Sequence, residues 1–163
     1  MFKKEKEMIG LFIDSLKVHD TQYGLIDYSS EARVQATFGQ FSRKEALKVH
    51  VSSIQRKGDG VGLDKALASA YELLVNKGRR EARKVLIVFT SGNANVGVYE
   101  LRASAKLLQD AGVKIVAVAI GDQVDENQLK EISSDNQVIH SQVSDDSGSV
   151  VQLIADNVVH EGN

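Results

Sequence analysis

The stretch Val85-Leu86-Ile87-Val88-Phe89, with the turn Thr90-Ser91-Gly92-Asn93 behind it, decides how this chain folds. Its first five residues form a continuous apolar run of strand length. A run apolar at every position suits a central strand covered by helices on both faces. A second such run, Val113-Lys114-Ile115-Val116-Ala117-Val118-Ala119-Ile120, is closed by Gly121. Between the two, Leu101, Ala105 and Leu108 recur at helical spacing, and Gly112 follows as a C-terminal cap. Strand, helix and strand in that order predict a parallel pair joined by a crossover.

The same alternation continues outward. Toward the C-terminus, Glu126 to Ser134 reads as a short helix and Val138 to Val143 as a short strand. Val150, Val151, Ile154 and Val158 mark a last helix. Toward the N-terminus, Leu63, Ala66, Leu67, Ala70 and Leu74 share one helical face, and so do Leu47, Val51 and Ile54. Ser42 with Glu45 three residues on predicts a capping box for the latter helix. Tyr23 to Tyr28 and Arg33 to Phe38 are β-type runs, and Ser29-Ser30-Glu31 between them predicts a hairpin. Ile9, Phe12, Ile13 and Leu16 begin the chain with an amphipathic helix. The fold class expected is α/β: a three-layer, doubly wound, mainly parallel sheet with one antiparallel edge strand and helices on both faces.

Composition sets the bounds. The 163 residues fit one domain, expected over 1–163. An apolar fraction of 42% excludes whole-chain disorder. A net charge of −2 excludes a strong global nucleic-acid field. No run reaches the roughly 18 apolar residues of a membrane span, so no membrane insertion is expected. Met1 to Glu7 is charged and has no apolar signal core. With no cysteine, disulfides and thiolate chemistry are excluded, and the redox compartment is left open.

Few residues carry chemistry. Lys57-Gly58-Asp59-Gly60-Val61-Gly62 lacks the phosphate-loop and dinucleotide spacings and follows a helix, so it reads as a tight loop with positive φ. Arg79, Arg80, Arg83 and Lys84 form a basic cluster, but Glu81 interrupts it and no aromatic residue interleaves; it reads as a solvated loop. His19, His50, His140 and His160 show no metal spacing, and most of them read as surface residues. Ser29, Ser30 and Ser91 lack a nucleophile elbow. The oxygen-rich turn from Thr90 to Asn93 lies where doubly wound sheets bind ligands, at the carboxyl end of a strand. Together with the Gly58 loop it offers Asp59, Asp64, Thr90, Ser91 and Asn93 as oxygen donors for a hard cation.

At these residues the chain resembles a von Willebrand factor type A domain. Tyr23-Gly24-Leu25-Ile26-Asp27-Tyr28-Ser29-Ser30 is similar to the family's V-G-L-V-Q-Y-S run. Arg56 to Leu67 is similar to its G-G-G-T-x-T-G-x-A-L segment. Arg83 to Gly92 resembles K-V-L-I-V-x-T-D-G, and Gly112 to Gly121 resembles G-V-x-I-x-A-V-G-I-G. The resemblance implies a non-enzymatic protein-binding module of an adhesion or extracellular-matrix protein, with a protein partner such as a matrix component and an extracellular location.

The departures from the family pattern bear on metal binding. The resemblance implies a metal-ion-dependent adhesion site built from D-x-S-x-S after the first strand, a Thr in the glycine-rich loop and an Asp after the fourth strand. Here Val61 stands at the Thr position and Ser91 at the Asp position, and the family's first strand with its D-x-S-x-S is expected to be missing ahead of the first helix. The expected ligand-binding loops therefore hold Asp59, Val61, Asp64, Thr90, Ser91 and Asn93, with no metal cofactor. The alternative is Mg²⁺ or Mn²⁺ on substitute oxygens of Asp59, Asp64, Ser91 and Asn93. A Rossmann-like nucleotide-binding enzyme is a third reading, with no fingerprint to support it. The family's first strand lies mid-sheet, and this chain begins inside the first helix. Three outcomes are open: residues upstream in a longer protein (the expected one), closing up of the remaining strands, or a strand donated by another chain.

Overall fold

A computed structural model describes residues 2–16, 21–56, 58, 60–94 and 97–159. The order of elements is α1 (Phe2–Ser15), β1 (Leu25–Tyr28), β2 (Ala32–Ala36), α2 (Lys44–Ser53), α3 (Leu63–Tyr71), β3 (Lys84–Thr90), α4 (Val98–Asp110), β4 (Val113–Ile120), α5 (Glu126–Ile132), β5 (Val138–Ser141) and α6 (Ser147–Val159). A π-helical turn, Glu72–Asn76, extends α3. The α/β alternation expected from the two apolar runs is thus present.

β4 organises the molecule. It pairs in parallel with β3 from Lys84–Val113 to Thr90–Ala119, and with β5 from Ala117–Val138 to Ile120–Ser141. Its side chains alternate between two cores, as strand geometry requires. Ile115, Ala117 and Ala119 meet Leu67, Leu101, Leu108 and Leu129 from α3, α4 and α5. Val118 and Ile120 face the other way, onto Met8, Phe12 and Ile154 of α1 and α6. Helices therefore cover both faces of this sheet.

The sheet is divided. β1 and β2 form an antiparallel two-stranded sheet, and β3, β4 and β5 form a parallel three-stranded one. Among the described residues no strand joins them. α3 packs against the hairpin and α4, and a smaller core of Ile13, Ala36, Leu47 and Val51 ties the hairpin to α1 and α2. The remaining strands have not closed up.

A cavity of about 1150 Å³ lies between β1 and β3. Phe12 and Ile13 of α1 line one face, Leu67 and Leu73 the other, and the two strand edges form the sides. This explains one departure from expectation. In β3 only Val88 and Thr90 are buried, although the run is apolar throughout. β4 is buried at seven of its eight positions, because it has a partner on each side.

The glycines behave as the sequence requires. Gly112 after α4 and Gly121 after β4 hold φ of 87° and 85°, open to glycine at little cost. The capping box does not form. Arg43, in extended conformation, occupies the position before α2 with no side-chain cap bond, and Glu45 approaches the Arg43 guanidinium instead. His50 is partly buried rather than a plain surface residue. Its Nε2 lies 2.8 Å from the Gln35 carbonyl oxygen and its ring packs on Phe41. His140 is exposed and pairs with Glu126 at 2.9 Å. His19 and His160 lie outside the described residues.

Candidate functional site

Three loops meet at the carboxyl ends of β1 and β3. The first is the hairpin turn, in which the Ser29 N–H donates to the Glu31 carbonyl at 2.9 Å. The second is the glycine-rich loop ahead of α3. Gly58 and Gly60 hold φ of 79° and 96°, as expected of a tight loop. The Gly62 N–H donates to the Ser29 carbonyl oxygen. A Cβ on Gly62 would stand 2.7 Å from that oxygen and 2.8 Å from the carbonyl oxygen of Ser30. The glycine is therefore what lets the two loops touch.

The third loop is the turn after β3. Thr90 is buried, and its hydroxyl donates to the Gly92 carbonyl at 3.0 Å. Val61 comes up against Gly92, where a Cβ would stand 3.2 Å from its methyl group. The glycine-rich loop thus reaches the Thr90 turn, as a composite site requires. What it presents there is a methyl group.

The candidate donors divide between two places. Asn93 turns away, and its side-chain oxygen accepts the backbone N–H of Asp125. The Ala94 N–H donates to Gln128 Oε1 at 2.9 Å, so the far side of the turn is tied to α5. Asp64 sits in the first turn of α3, where a carboxylate is favoured by the helix dipole. Lys65 beside it pairs with Glu31 of the hairpin at 2.5 Å. Ser91 is half-buried behind Thr90. Asp59 lies outside the described residues. No group of three His, Cys, Asp or Glu residues placed to hold a metal occurs among the described residues. Among the described residues, the turn after β3 offers the neutral hydroxyls of Thr90 and Ser91, and Thr90's is engaged within that turn. Those two hydroxyls alone lack the carboxylate that a divalent cation favours.

Two residues at this end went unnoticed in the sequence. The Tyr28 hydroxyl crosses to the three-stranded sheet and donates to the Phe89 carbonyl at 2.8 Å. Burial raises its pKa well above the usual phenol range. Glu5 of α1 lines the cavity, and burial raises its carboxyl to about 7 against the opposing pull of Arg56. A tyrosine at strand spacing and a glutamate in a lysine-rich first helical turn carry no signal of either role. Asp27 is buried as well, but Arg33 and Gln35 of the partner strand satisfy it.

Known proteins resemble this chain in sequence and in fold. Human matrilin-1 is 32% identical over 157 residues, covering 93% of this chain and 31% of matrilin-1. Mouse integrin alpha-M is 27% identical over 133 residues, covering 79% of this chain and 11% of the integrin. The chain spans less than a third of the length of these relatives. Among solved structures, proximal thread matrix protein 1 from the mussel byssus superposes with a TM-score of 0.87 at 21% identity, over 96% of this chain and 42% of that one. A von Willebrand factor type A protein from Catenulispora acidiphila gives 0.75 at 16% identity, over 96% and 37%. The family model of the von Willebrand factor type A domain matches residues 1–156, and with that match this chain belongs to the von Willebrand factor type A family.

Proposed function

We propose that this chain is a non-enzymatic protein-binding module of an adhesion or extracellular-matrix type protein, acting outside the cell and without a divalent cation. Family membership supports the binding role. The observation that carries metal independence is the contact of Val61 with Gly92, at the meeting point of the loops. There the family pattern calls for a threonine oxygen, and Ser91 stands where it calls for a carboxylate. The alternative set of Asp59, Asp64, Ser91 and Asn93 gains little support, because the Asn93 oxygen is engaged by Asp125. The partner is a protein, a matrix component being the first candidate, rather than nucleic acid. No helix among the described residues is long and apolar enough to cross a membrane.

A thermal melt in EDTA and again in several millimolar Mg²⁺ or Mn²⁺ tests the metal. The expected result is the same midpoint in every buffer. A ligand that binds only the folded state raises the midpoint by mass action. A rise of several degrees with either ion would overturn metal independence.

A further inference from the structure

Five basic side chains crowd into one turn of the molecule. Lys77, Arg79, Arg80, Arg83 and Lys84 stand against a single acid, Glu81, between the π-helical turn and β3. These eight residues carry +4 in a chain whose net charge is −2, so the rest carries −6. Basic runs of about five to eight residues are a signature of sites for nucleic acids or sulfated polysaccharides. Like charges at this spacing repel, so a loop that only meets solvent gains nothing from holding them together.

The fold does hold them together. A Cβ on Gly78 would strike the Leu74 carbonyl oxygen, so glycine is what lets the chain turn tightly off the helix. The Ala82 N–H donates to the Arg79 carbonyl at 3.2 Å and closes a four-residue turn. Lys84 ties that turn to β3. Its Nζ donates to the carbonyl oxygens of Arg79 at 2.8 Å, Arg80 at 3.3 Å and Ala82 at 3.4 Å. Three oxygens that would repel an anion are thereby engaged by one ammonium. Lys77, Arg79, Arg80 and Arg83 are exposed around it. Among the described residues, neither Arg80 nor Arg83 pairs with an acid.

The chemistry of the turn narrows the ligand. A guanidinium presents parallel N–H donors that fit two oxygens of one sulfate, phosphate or carboxylate. Residues 77–84 include no aromatic side chain on which a base could stack. The basic groups stand on a turn, not on a helix or ribbon that could enter a DNA groove. A sulfated sugar chain needs neither, because its charges project outward from a backbone without bases.

We propose that the turn from Lys77 to Lys84 binds a sulfated polysaccharide, with Arg80 and Arg83 on its sulfate groups. The choice of a polysaccharide over other polyanions rests on the extracellular-matrix reading above, and the site itself does not. It makes no use of the slot between β1 and β3 or of the loops around Val61 and Ser91.

The probe is a fluorescein-labelled heparin octasaccharide, titrated with the 163-residue chain in about 50 mM salt and followed by anisotropy. Binding is expected, with backbone amide shifts clustered at residues 77–84. Raising the salt to about 200 mM should weaken it roughly tenfold, because each arginine that meets a sulfate releases counterions. An unsulfated hyaluronan octasaccharide offers fewer charges and should bind roughly tenfold or more weakly. The double variant Arg80→Gln, Arg83→Gln alters exposed side chains only, so its melting midpoint should match that of the parent. It should bind heparin roughly tenfold or more weakly. Lys106→Gln with Lys130→Gln removes the same charge from exposed positions on α4 and α5. That variant should bind within about twofold of the parent, since salt screens distant charges.

No binding at millimolar octasaccharide would overturn the proposal. So would equal weakening in the two double variants, which would make net charge rather than the turn responsible, or amide shifts that avoid residues 77–84. A short DNA duplex that binds as tightly as heparin would overturn the assignment to a sulfated sugar. The absence of sugar binding would leave the protein-binding reading standing, since that reading gives this turn no role.

Discussion

Glu5 shows how one residue records the split sheet. It belongs to a charged first helical turn, yet it sits in the wall of an apolar slot, and burial lifts its pKa from 4.5 to about 7. The sign follows from proton counting. Between those two values the folded chain holds a proton that the unfolded chain has released, so stability falls as pH rises from about 4.5 to about 7. The upper bound on that loss is about 3 kcal/mol, at 1.36 kcal/mol per unit. Glu5→Gln should flatten this part of the profile. Urea denaturation at pH 5 and pH 8 is expected to find the variant more stable than the parent at pH 8 and nearly equal to it at pH 5. An equal effect at both pH values would remove the role of the charge.

At the scale of elements, the contact between the hairpin turn and the start of α3 is a backbone contact, and it depends on Gly62. The oxygens that a Cβ would strike belong to the main chain of Ser29 and Ser30 and cannot swing aside. Gly62→Ala should therefore cost about 2–3 kcal/mol, in the range typical of forced backbone shifts. A urea midpoint unchanged within error would contradict this.

Most elements were legible in the sequence because each carries its own period. Ile9, Phe12 and Ile13 share a helical face, and Val113 to Ile120 is apolar throughout. The capping box was not legible, because a four-residue pattern cannot show where the helix starts. Here α2 begins one residue late, after Arg43. The site was legible in part. The sequence offers the Gly58 loop and the Thr90 turn as the two parts of a site if they reach one end, and the structure brings them together through Val61 and Gly92. It could not show that Asn93 would be drawn toward α5 by the Asp125 N–H, since that bond depends on where a distant loop passes.

At the scale of the molecule, the described residues form two sheets held in one set of helices. That β1 and β3 do not pair with each other among the described residues could be anticipated from the family's strand order, but whether they would close up could not, since that turns on how the helical layers pack. α1 and α6 hold one face and α3 and α4 the other, and this packing keeps the slot open. Protection against exchange should follow the same division. Amides of residues 113–120 are expected to exchange slowest, because β4 has a partner on each side. Residues 25–28 and 84–90 should exchange faster in the free chain. Mass-resolved hydrogen exchange checks this ordering, and equal protection of β3 and β4 would mean that the slot is closed in solution.

The division of the sheet also has a mechanical side. β3 and β4 are joined by seven registered pairs, from Lys84–Val113 to Thr90–Ala119. A pull along those strands loads the whole ladder at once, in shear. A pull that draws the hairpin away from the three-stranded sheet meets no ladder among the described residues. It loads the packing of α3 and the bond from Tyr28 to Phe89. The molecule is therefore stiff along its strands and compliant across them, a soft seam between two rigid plates.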